Sequence, residues 1–164
     1  MIRIGQGIDV HAFSDAPDRP LILGGMHLPE GPGLVGHSDG DALLHAVVDA
    51  LLGAAALGDI GGLVGVDDAT TAGAASEGFV RSAVRRLEQA GWRPHNLDCT
   101  VIAARPRLAP HRESLAANIA RLVGLEPSAV NVKATTTDGL GFTGRGEGLA
   151  CMVVALIEPR PGAG

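Results

Sequence analysis

Three residues of the kinds that bind zinc, Asp9, His11 and His45, lie in two short motifs near the start of the chain. The first motif, residues 7–11 (GIDVH), has the pattern of the end of a short strand. Side chains alternate along a strand, so Asp9 and His11 should project from the same face. One carboxylate and two imidazoles suit zinc, and a site with three protein ligands leaves a position open for chemistry.

The second motif, residues 37–45 (HSDGDALLH), has the pattern of a helix start. Ser38 has the position of an N-cap, and Asp41 three residues later completes a capping box. His45 would then lie one turn into the helix, next to Asp41 on the same side. Each motif alone is more typical of an exposed strand or of an ordinary interfacial histidine. Their joint occurrence, together with motifs further along the chain, favours a metal site.

A third motif, residues 134–148, combines Thr135, Thr136, Thr137 and Asp138 with five glycines. Hydroxyls and free backbone N–H groups in such a loop suit phosphate oxygens, and an aspartate adds a hard oxygen ligand for Mg²⁺ or Mn²⁺. The alternative, a flexible polar loop between two strands, stays open. The segment lacks the lysine of a P-loop and the strand–GxGxxG–helix context of a dinucleotide-binding fold.

Residues 103–110 (AARPRLAP) hold Arg105 and Arg107 in a loop stiffened by prolines. Two arginines in this setting could meet a phosphate or a base edge. A solvated loop with ordinary surface cations is the alternative. Aromatic residues are only 2% of the chain, so a base bound here would be read by backbone groups and not by stacking.

The bulk composition excludes several classes of protein. A formal net charge of −5 and the shortage of aromatic residues argue against a nucleic-acid surface. The longest strongly apolar run, residues 149–157, is too short to span a bilayer, and no signal-peptide pattern opens the chain. Cys99 and Cys151 lie in apolar strand-like runs and read as small buried hydrophobes. We therefore expect a cytoplasmic protein that binds neither nucleic acid nor membranes.

Hydrophobic periodicity and turn residues predict one α/β domain without repeats or linkers. A hairpin is indicated by residues 21–28, where Gly24-Gly25 separates two apolar runs. The segment at 149–157 is predicted as a central strand buried on both faces. The other predicted elements are strands at 2–11, 97–104 and 130–134, and helices at about 39–57, 76–90 and 111–123.

Three segments resemble the signature regions of the 2-C-methyl-D-erythritol 2,4-cyclodiphosphate synthase family: GIDVHAF, HSDGDALLHAVVDALLGAAALGDIG and NVKATTTDGLGFTGRGEG. The resemblance implies an α/β (α+β) fold with a mixed β-sheet and helices packed on one face. Residues 1–158 would form a single domain and residues 159–164 a flexible tail. The same resemblance implies a ring-shaped homotrimer with active sites between subunits. It also implies a cavity on the trimer axis that could bind an isoprenoid diphosphate.

The resemblance further implies an enzyme of the non-mevalonate isoprenoid pathway that converts 4-diphosphocytidyl-2-C-methyl-D-erythritol 2-phosphate to the 2,4-cyclodiphosphate and CMP. Zinc would be held by Asp9, His11 and His45. A second divalent cation, Mg²⁺ or Mn²⁺, would bridge the diphosphate at Asp138. The family's transition-state stabilisers match His37 and Thr136. The positions matching substrate-binding residues are Asp9, His11, His37, Ser38, Asp59, Ile60, Gly61, Asp68, Ala103, Arg105, Arg107, Ala109, Thr135, Thr136, Thr137, Asp138, Phe142 and Arg145.

Two positions depart from the family pattern. The family usually has glutamate where this chain has Asp138, which is one methylene shorter and would bind the second cation differently or through water. The family's Phe-Pro-Asp-x-Asp stretch corresponds here to residues 64–68 (VGVDD), although Asp68 aligns with an acidic position. Two alternatives therefore stay open: a zinc-dependent phosphoester hydrolase, and a non-enzymatic trimeric protein that binds isoprenoid diphosphates.

Overall fold

The computed structural model describes residues 1–64 and 75–161, which build a four-stranded sheet, a two-stranded hairpin and five helices. Two short 3₁₀ turns, Ala109–His111 and Pro127–Ala129, flank the helix Arg112–Val123. The elements in chain order are β1 (Arg3–Ala12), β2 (Leu21–Leu23), β3 (Met26–Leu28), α1 (Ala42–Ala54), α2 (Ile60–Val64), α3 (Ser76–Gln89), β4 (Trp92–Ile102), α4 (Arg112–Val123), β5 (Val130–Thr135), α5 (Gly141–Gly144) and β6 (Gly148–Pro159).

The main sheet is mixed, as the family resemblance implied, with strand order β1-β6-β4-β5. Strand β6 runs antiparallel to β1 and to β4, whereas β4 and β5 are parallel. Consequently β1, β4 and β5 point in the same direction and end at one edge of the sheet, which we call the carboxyl edge. Its last residues are Ala12, Ile102 and Thr135.

One face of the sheet is covered by helices and holds the core. Alternate residues of β6 are fully buried, including Cys151 and Val153, and α1 packs against β1 and β6. The opposite face is partly open, because Val154 is 42% exposed. The prediction that β6 is buried on both faces is therefore wrong for the single chain, although its central position is confirmed.

Helix α1 is shorter than predicted and begins at a different residue. It spans Ala42–Ala54 and its N-cap is Asp41, whose side chain accepts a hydrogen bond from the N–H of Leu44. The prediction of Ser38 as N-cap of a helix at 39–57 is wrong. Ser38 instead closes a turn, since its hydroxyl accepts from the N–H of Gly40 at 3.2 Å.

The remaining boundaries follow the sequence with three differences. Strand β4 begins at Trp92, five positions before the predicted start, because it continues through an irregularity between Pro94 and Asn96. Helices α2 and α5 form in segments where the sequence predicted no helix. The hairpin is confirmed, and Gly24 and Gly25 both have positive φ, 59° and 75°. Within residues 1–64 and 75–161 no helix has the length and apolarity that crossing a bilayer demands.

Candidate active site

The structure brings Asp9, His11 and His45 together, as their types and spacing predicted. The carboxylate oxygen Oδ2 of Asp9 lies 2.9 Å from Nε2 of His11 and 3.0 Å from Nδ1 of His45. One ligand atom from each residue lies within 4.8 Å of the other two. Asp9 and His11 thus project from the same face of β1, and α1 supplies the third side chain.

Two glycines of β1 allow α1 to lie directly on the strand. A Cβ atom at Gly5 would stand 2.1 Å from the carbonyl oxygen of Ala50, and one at Gly7 would stand 2.0 Å from that of Ala46. Both distances are far inside van der Waals contact, so a larger residue would push the helix away. This close approach brings His45 within reach of Asp9.

In each imidazole, the ring nitrogen that does not face Asp9 makes a second polar contact. Nε2 of His45 lies 2.9 Å from the hydroxyl of the buried Ser76, which donates in turn to the carboxylate of Asp39. Nδ1 of His11 contacts the carbonyl oxygen of Val35. Each ring therefore turns one nitrogen toward Asp9 and uses the other to fix its orientation, the usual arrangement behind a metal-binding histidine.

Sequence reasoning did not identify Asp39 or Ser76 as site residues. Asp39 also accepts a hydrogen bond from the backbone N–H of Ser76 at 2.9 Å. Ser76 opens α3 and lies 31 positions from His45 in the chain. No local pattern links residues so far apart, although Asp39 lies in the same short motif as His45.

The charges of the site suit a cation. Burial raises the pKa of Asp9, but hydrogen bonds from His11 and His45 outweigh burial and hold that pKa well below its usual range. The hydrogen bond to Asp9 raises the pKa of His11, while burial opposes the shift. An ionised carboxylate and two oriented imidazoles are a donor set that fits zinc, with a fourth position left for a substrate oxygen.

The segment Asp59-Ile60-Gly61 is bound to α1 close to His45 by a hydrogen bond from its backbone. The carboxylate of Asp49, one turn beyond His45, accepts from the backbone N–H of Ile60 at 2.7 Å. Asp59 accepts from the N–H of Gly62 at 2.8 Å and so stabilises the start of α2. Burial raises the pKa of Asp49, with Asp59 and Asp9 adding to the shift and the Ile60 N–H opposing it. The predicted contact Asp68, with residues 65–68, lies outside the described residues.

The threonine motif lies at the end of β5. The hydroxyl of Thr136 donates to the carboxylate of Asp138 at 3.0 Å, and the hydroxyl of Thr137 lies 2.9 Å from that of Thr143. Asp138 has a positive φ of 50°, a conformation that aspartate adopts more readily than most residues. Thr135, Thr136 and Asp138 are exposed, so their oxygens are open to a ligand.

The arginine loop lies beside the threonine motif, because β4 and β5 are parallel neighbours. The N–H of Ala103 donates to the carbonyl oxygen of Thr135 at 3.0 Å. Arg105 lies over the ring of Phe13 at 5.4 Å from its centroid. Arg107 and Ala109 are exposed, with Ala109 beginning a 3₁₀ turn.

Phe142 and Arg145 lie at the start and end of α5, after the threonine motif. Phe142 is 41% exposed, and the guanidinium of Arg145 pairs with Glu147 at 2.7 Å. Both side chains stand on the surface of the chain, away from its core.

Within one chain the predicted residues thus form two groups at the carboxyl edge. Asp9 and His11 lie near the end of β1, with His45 beside them on α1, whereas the arginine loop and the threonine motif follow the ends of β4 and β5. Strand β6 lies between β1 and β4, and neighbouring strands are about 4.8 Å apart, so β1 and β5 are separated by roughly 14 Å. His37 is exposed and lies in the segment that contacts the ring of His11 through the carbonyl group of Val35.

Comparison with known proteins identifies the family. The sequence model of the YgbB family matches residues 2–158. The chain belongs to the YgbB family. A relative from Erwinia tasmaniensis, 2-C-methyl-D-erythritol 2,4-cyclodiphosphate synthase, is 53% identical over 156 residues, covering 95% of this chain and 98% of the relative.

Two solved structures of the family have the same fold. A bifunctional IspDF from Campylobacter jejuni matches with a TM-score of 0.92 and 39% identity, over 98% of this chain and 43% of that longer chain. A CDP complex of IspF from Plasmodium falciparum matches with a TM-score of 0.84 and 31% identity, over 98% of this chain and 97% of that one. The family predicted from three sequence segments is therefore confirmed, and with it a cyclising phosphorus–oxygen lyase of isoprenoid biosynthesis.

Proposed function

We propose that the site built on Asp9, His11 and His45 closes the ring of 2-C-methyl-D-erythritol 2,4-cyclodiphosphate. The substrate is 4-diphosphocytidyl-2-C-methyl-D-erythritol 2-phosphate, and the second product is CMP. An oxygen of the 2-phosphate forms a bond to the β-phosphorus, and the bond from that phosphorus to the CMP oxygen breaks. The observation that carries the proposal is the convergence of the three ligands in a YgbB-family chain.

The substrate supplies its own nucleophile, so the protein has to align two anionic groups and offset their charge. Zinc on Asp9, His11 and His45 would act as a Lewis acid and as a template for the diphosphate. A Mg²⁺ or Mn²⁺ ion would be held by Asp138, whose carboxylate is exposed and suits a hard cation. Because the side chain of Asp138 is one methylene shorter than the usual glutamate, we propose that the ion lies in a shifted position or is bound through a water molecule.

The chain's own donors complete the site. His37 and Thr136 are proposed to stabilise the charge that builds up on the phosphate oxygens in the transition state. The backbone and hydroxyls of residues 135–138 contact the diphosphate, while Ser38 and residues 59–61 contact the rest of the substrate. The cytidine would lie against residues 103–109, where Arg105 and Arg107 offer charge and the backbone offers hydrogen bonds. Asp68 is proposed as a further substrate contact.

We propose that the active site forms between neighbouring subunits of a homotrimer. The two groups of site residues are too far apart within one chain to meet the same diphosphate, but subunits in a ring can place one group against the other. The open face of the sheet supports this assembly, since it exposes large apolar side chains: Ile4, Ile8, Val10 and Val154. Phe142 and Arg145 would face the axial cavity, where Arg145 could bind an isoprenoid diphosphate.

We also propose that the protein works in the cytoplasm. Cys99 and Cys151 are both free and buried in the core. Burial raises the pKa of Cys99 to about 12, so its thiol is unreactive and structural. Free cysteines in the core are compatible with a reducing compartment.

Product analysis tests the proposed reaction. Incubation of the protein and zinc with the cytidine diphosphate substrate should release CMP and give a cyclic diphosphate, visible by phosphorus NMR. An open-chain bisphosphate would instead identify a hydrolase that uses water as nucleophile. Binding of the nucleotide without any turnover would favour the non-enzymatic alternative.

A further inference from the structure

The backbone segment that carries His37 lies directly against the zinc ligands. The N–H of Val35 donates to the carbonyl oxygen of Ala12 at 2.9 Å, and the carbonyl of Val35 contacts the ring of His11. A Cβ atom at Gly36 would stand only 3.3 Å from Cε1 of His11. The position of His37 relative to the metal site therefore depends on how firmly this segment is held.

One side chain binds the carbonyl groups of both residues next to His37, Gly36 and Ser38. Nη2 of Arg19 donates to the carbonyl oxygen of Gly36 at 3.1 Å and to that of Ser38 at 2.9 Å. Arg19 comes from the loop between β1 and β2. The two carbonyl groups that it binds lie 17 and 19 positions further along the chain.

The side chain of Arg19 is held in place by close packing. A Cβ atom at Gly33 would stand 2.4 Å from the carbonyl oxygen of Arg19, so the loop is packed closely on the segment. Nε of Arg19 is buried and has no hydrogen-bond partner among the described residues. A buried donor without a partner costs free energy, so stability alone gives little reason for an arginine at this position.

We infer that Arg19 is a positioning residue for ring closure. Its guanidinium holds the peptide group before His37 and the peptide group after Ser38. This fixes the two-residue stretch between them and so presents the imidazole of His37 to the reacting phosphates. The glycines on either side of this stretch, Gly36 and Gly40, would otherwise leave the backbone free to rotate. This role deepens the proposed function and rests on the assignment of His37 to the transition state.

The first test separates positioning from general stability. Arg19→Met keeps much of the side-chain volume but removes both hydrogen bonds. We expect kcat for CMP release to fall about tenfold, KM to change less than about twofold, and zinc content to remain that of the parent protein. Arg85→Met is the matched control, because Arg85 is exposed on α3 and bonds only to Ser82 among the described residues. It should leave kcat unchanged.

Arg19→Lys tests whether hydrogen bonding or charge is required. The ammonium keeps the charge and can donate to carbonyl groups, but it lacks the planar fork of arginine. We expect kcat between that of the parent protein and that of Arg19→Met. If Arg19→Met does not fold, the lysine variant with its melting temperature provides the same comparison with Arg85→Met.

A double-mutant cycle with His37→Ala decides the mechanism. If Arg19 acts through His37, adding Arg19→Met to His37→Ala should lower kcat by less than about twofold further. Multiplication of the two separate losses would overturn the inference while leaving the proposed reaction intact, as would a parent-like kcat in Arg19→Met. A parent protein that forms no cyclic product would instead contradict the proposed function, and the role of Arg19 with it.

Discussion

Asp9 is the residue on which the metal site depends, because its carboxylate contacts both imidazoles. Each histidine turns one nitrogen to this carboxylate and binds the protein with the other. The three ligand atoms are therefore already close enough to bind one ion before the ion arrives. Removing a donor should therefore affect metal retention and turnover together, whereas removing a transition-state contact should affect turnover alone.

We expect His45→Ala to lose zinc and activity in parallel. The two remaining ligands form too small a donor set, so turnover should fall by more than about 100-fold. Zinc content per chain and CMP release measure the two effects. His95→Ala is the matched control, since His95 is an exposed histidine of β4 that pairs with Glu158. Undiminished activity in His45→Ala would remove zinc from the mechanism.

Thr136→Ala should lower turnover more than it weakens nucleotide binding. The hydroxyl of Thr136 is proposed to contact oxygens whose charge rises in the transition state, so its loss should cost about 100-fold in kcat. The affinity for CDP, measured by calorimetry, should change by less than about fivefold. Thr136→Ser retains the hydroxyl and should keep most of the activity. Equal losses in kcat and in affinity would indicate a plain binding role.

At the scale of elements, the sequence was most informative where residues interact locally. Strand alternation placed Asp9 and His11 on one face, and the Gly24-Gly25 turn marked the hairpin. The start of α1 was mispredicted because Ser38 and Asp41 both have capping side chains. The structure selects Asp41 because its carboxylate also binds the hairpin, a long-range contact that no local pattern contains.

The carboxylate of Asp41 joins α1 to the hairpin. It accepts from the N–H groups of Gly24 at 2.9 Å, Gly25 at 2.6 Å and Leu44 at 3.0 Å, and it is fully buried. Burial raises its pKa, although the three donors oppose the shift. Asp41→Ala leaves three donors unpaired and should lower the free energy of unfolding by about 3 kcal/mol or more.

Urea unfolding measures this loss, with Asp98→Ala as the control. Asp98 forms a surface ion pair with Lys133, and its removal should change the free energy of unfolding by less than about 1 kcal/mol. A loss below 1 kcal/mol in Asp41→Ala would show that water or neighbouring groups satisfy the three N–H groups, and that the joint between α1 and the hairpin contributes little.

At the scale of the whole molecule, one chain keeps the two groups of predicted site residues apart. Asp9 and His11 lie on one outer strand of the four-stranded sheet, and the threonine motif ends the other outer strand. The face of that sheet away from the helices is partly open and exposes several apolar side chains. Composition and periodicity gave no sign of this separation, because it follows from the strand order. The homotrimer was expected from resemblance alone and stays a proposal that the exposed face supports.

Mixing two inactive variants should restore activity if the site lies between subunits. Unfolding and refolding His45→Ala together with Thr136→Ala in equal amounts gives random mixed trimers. About a quarter of the sites then combine intact zinc ligands from one chain with an intact Thr136 from its neighbour. CMP release should recover to about that fraction of the parent rate. No recovery, in mixed trimers verified by mass spectrometry, would place the whole site within one chain.

We propose that Asp9, His11 and His45 hold the zinc ion that ring closure requires. The most direct measurement strips the parent protein of metal, returns zinc in steps with Mg²⁺ present, and follows the cyclic product by phosphorus NMR. We predict no product without zinc and a rise that stops at one zinc per chain, with no recovery in His45→Ala. Full turnover by metal-free protein, or recovery in His45→Ala at the same zinc level, would show that ring closure does not need zinc at these three residues.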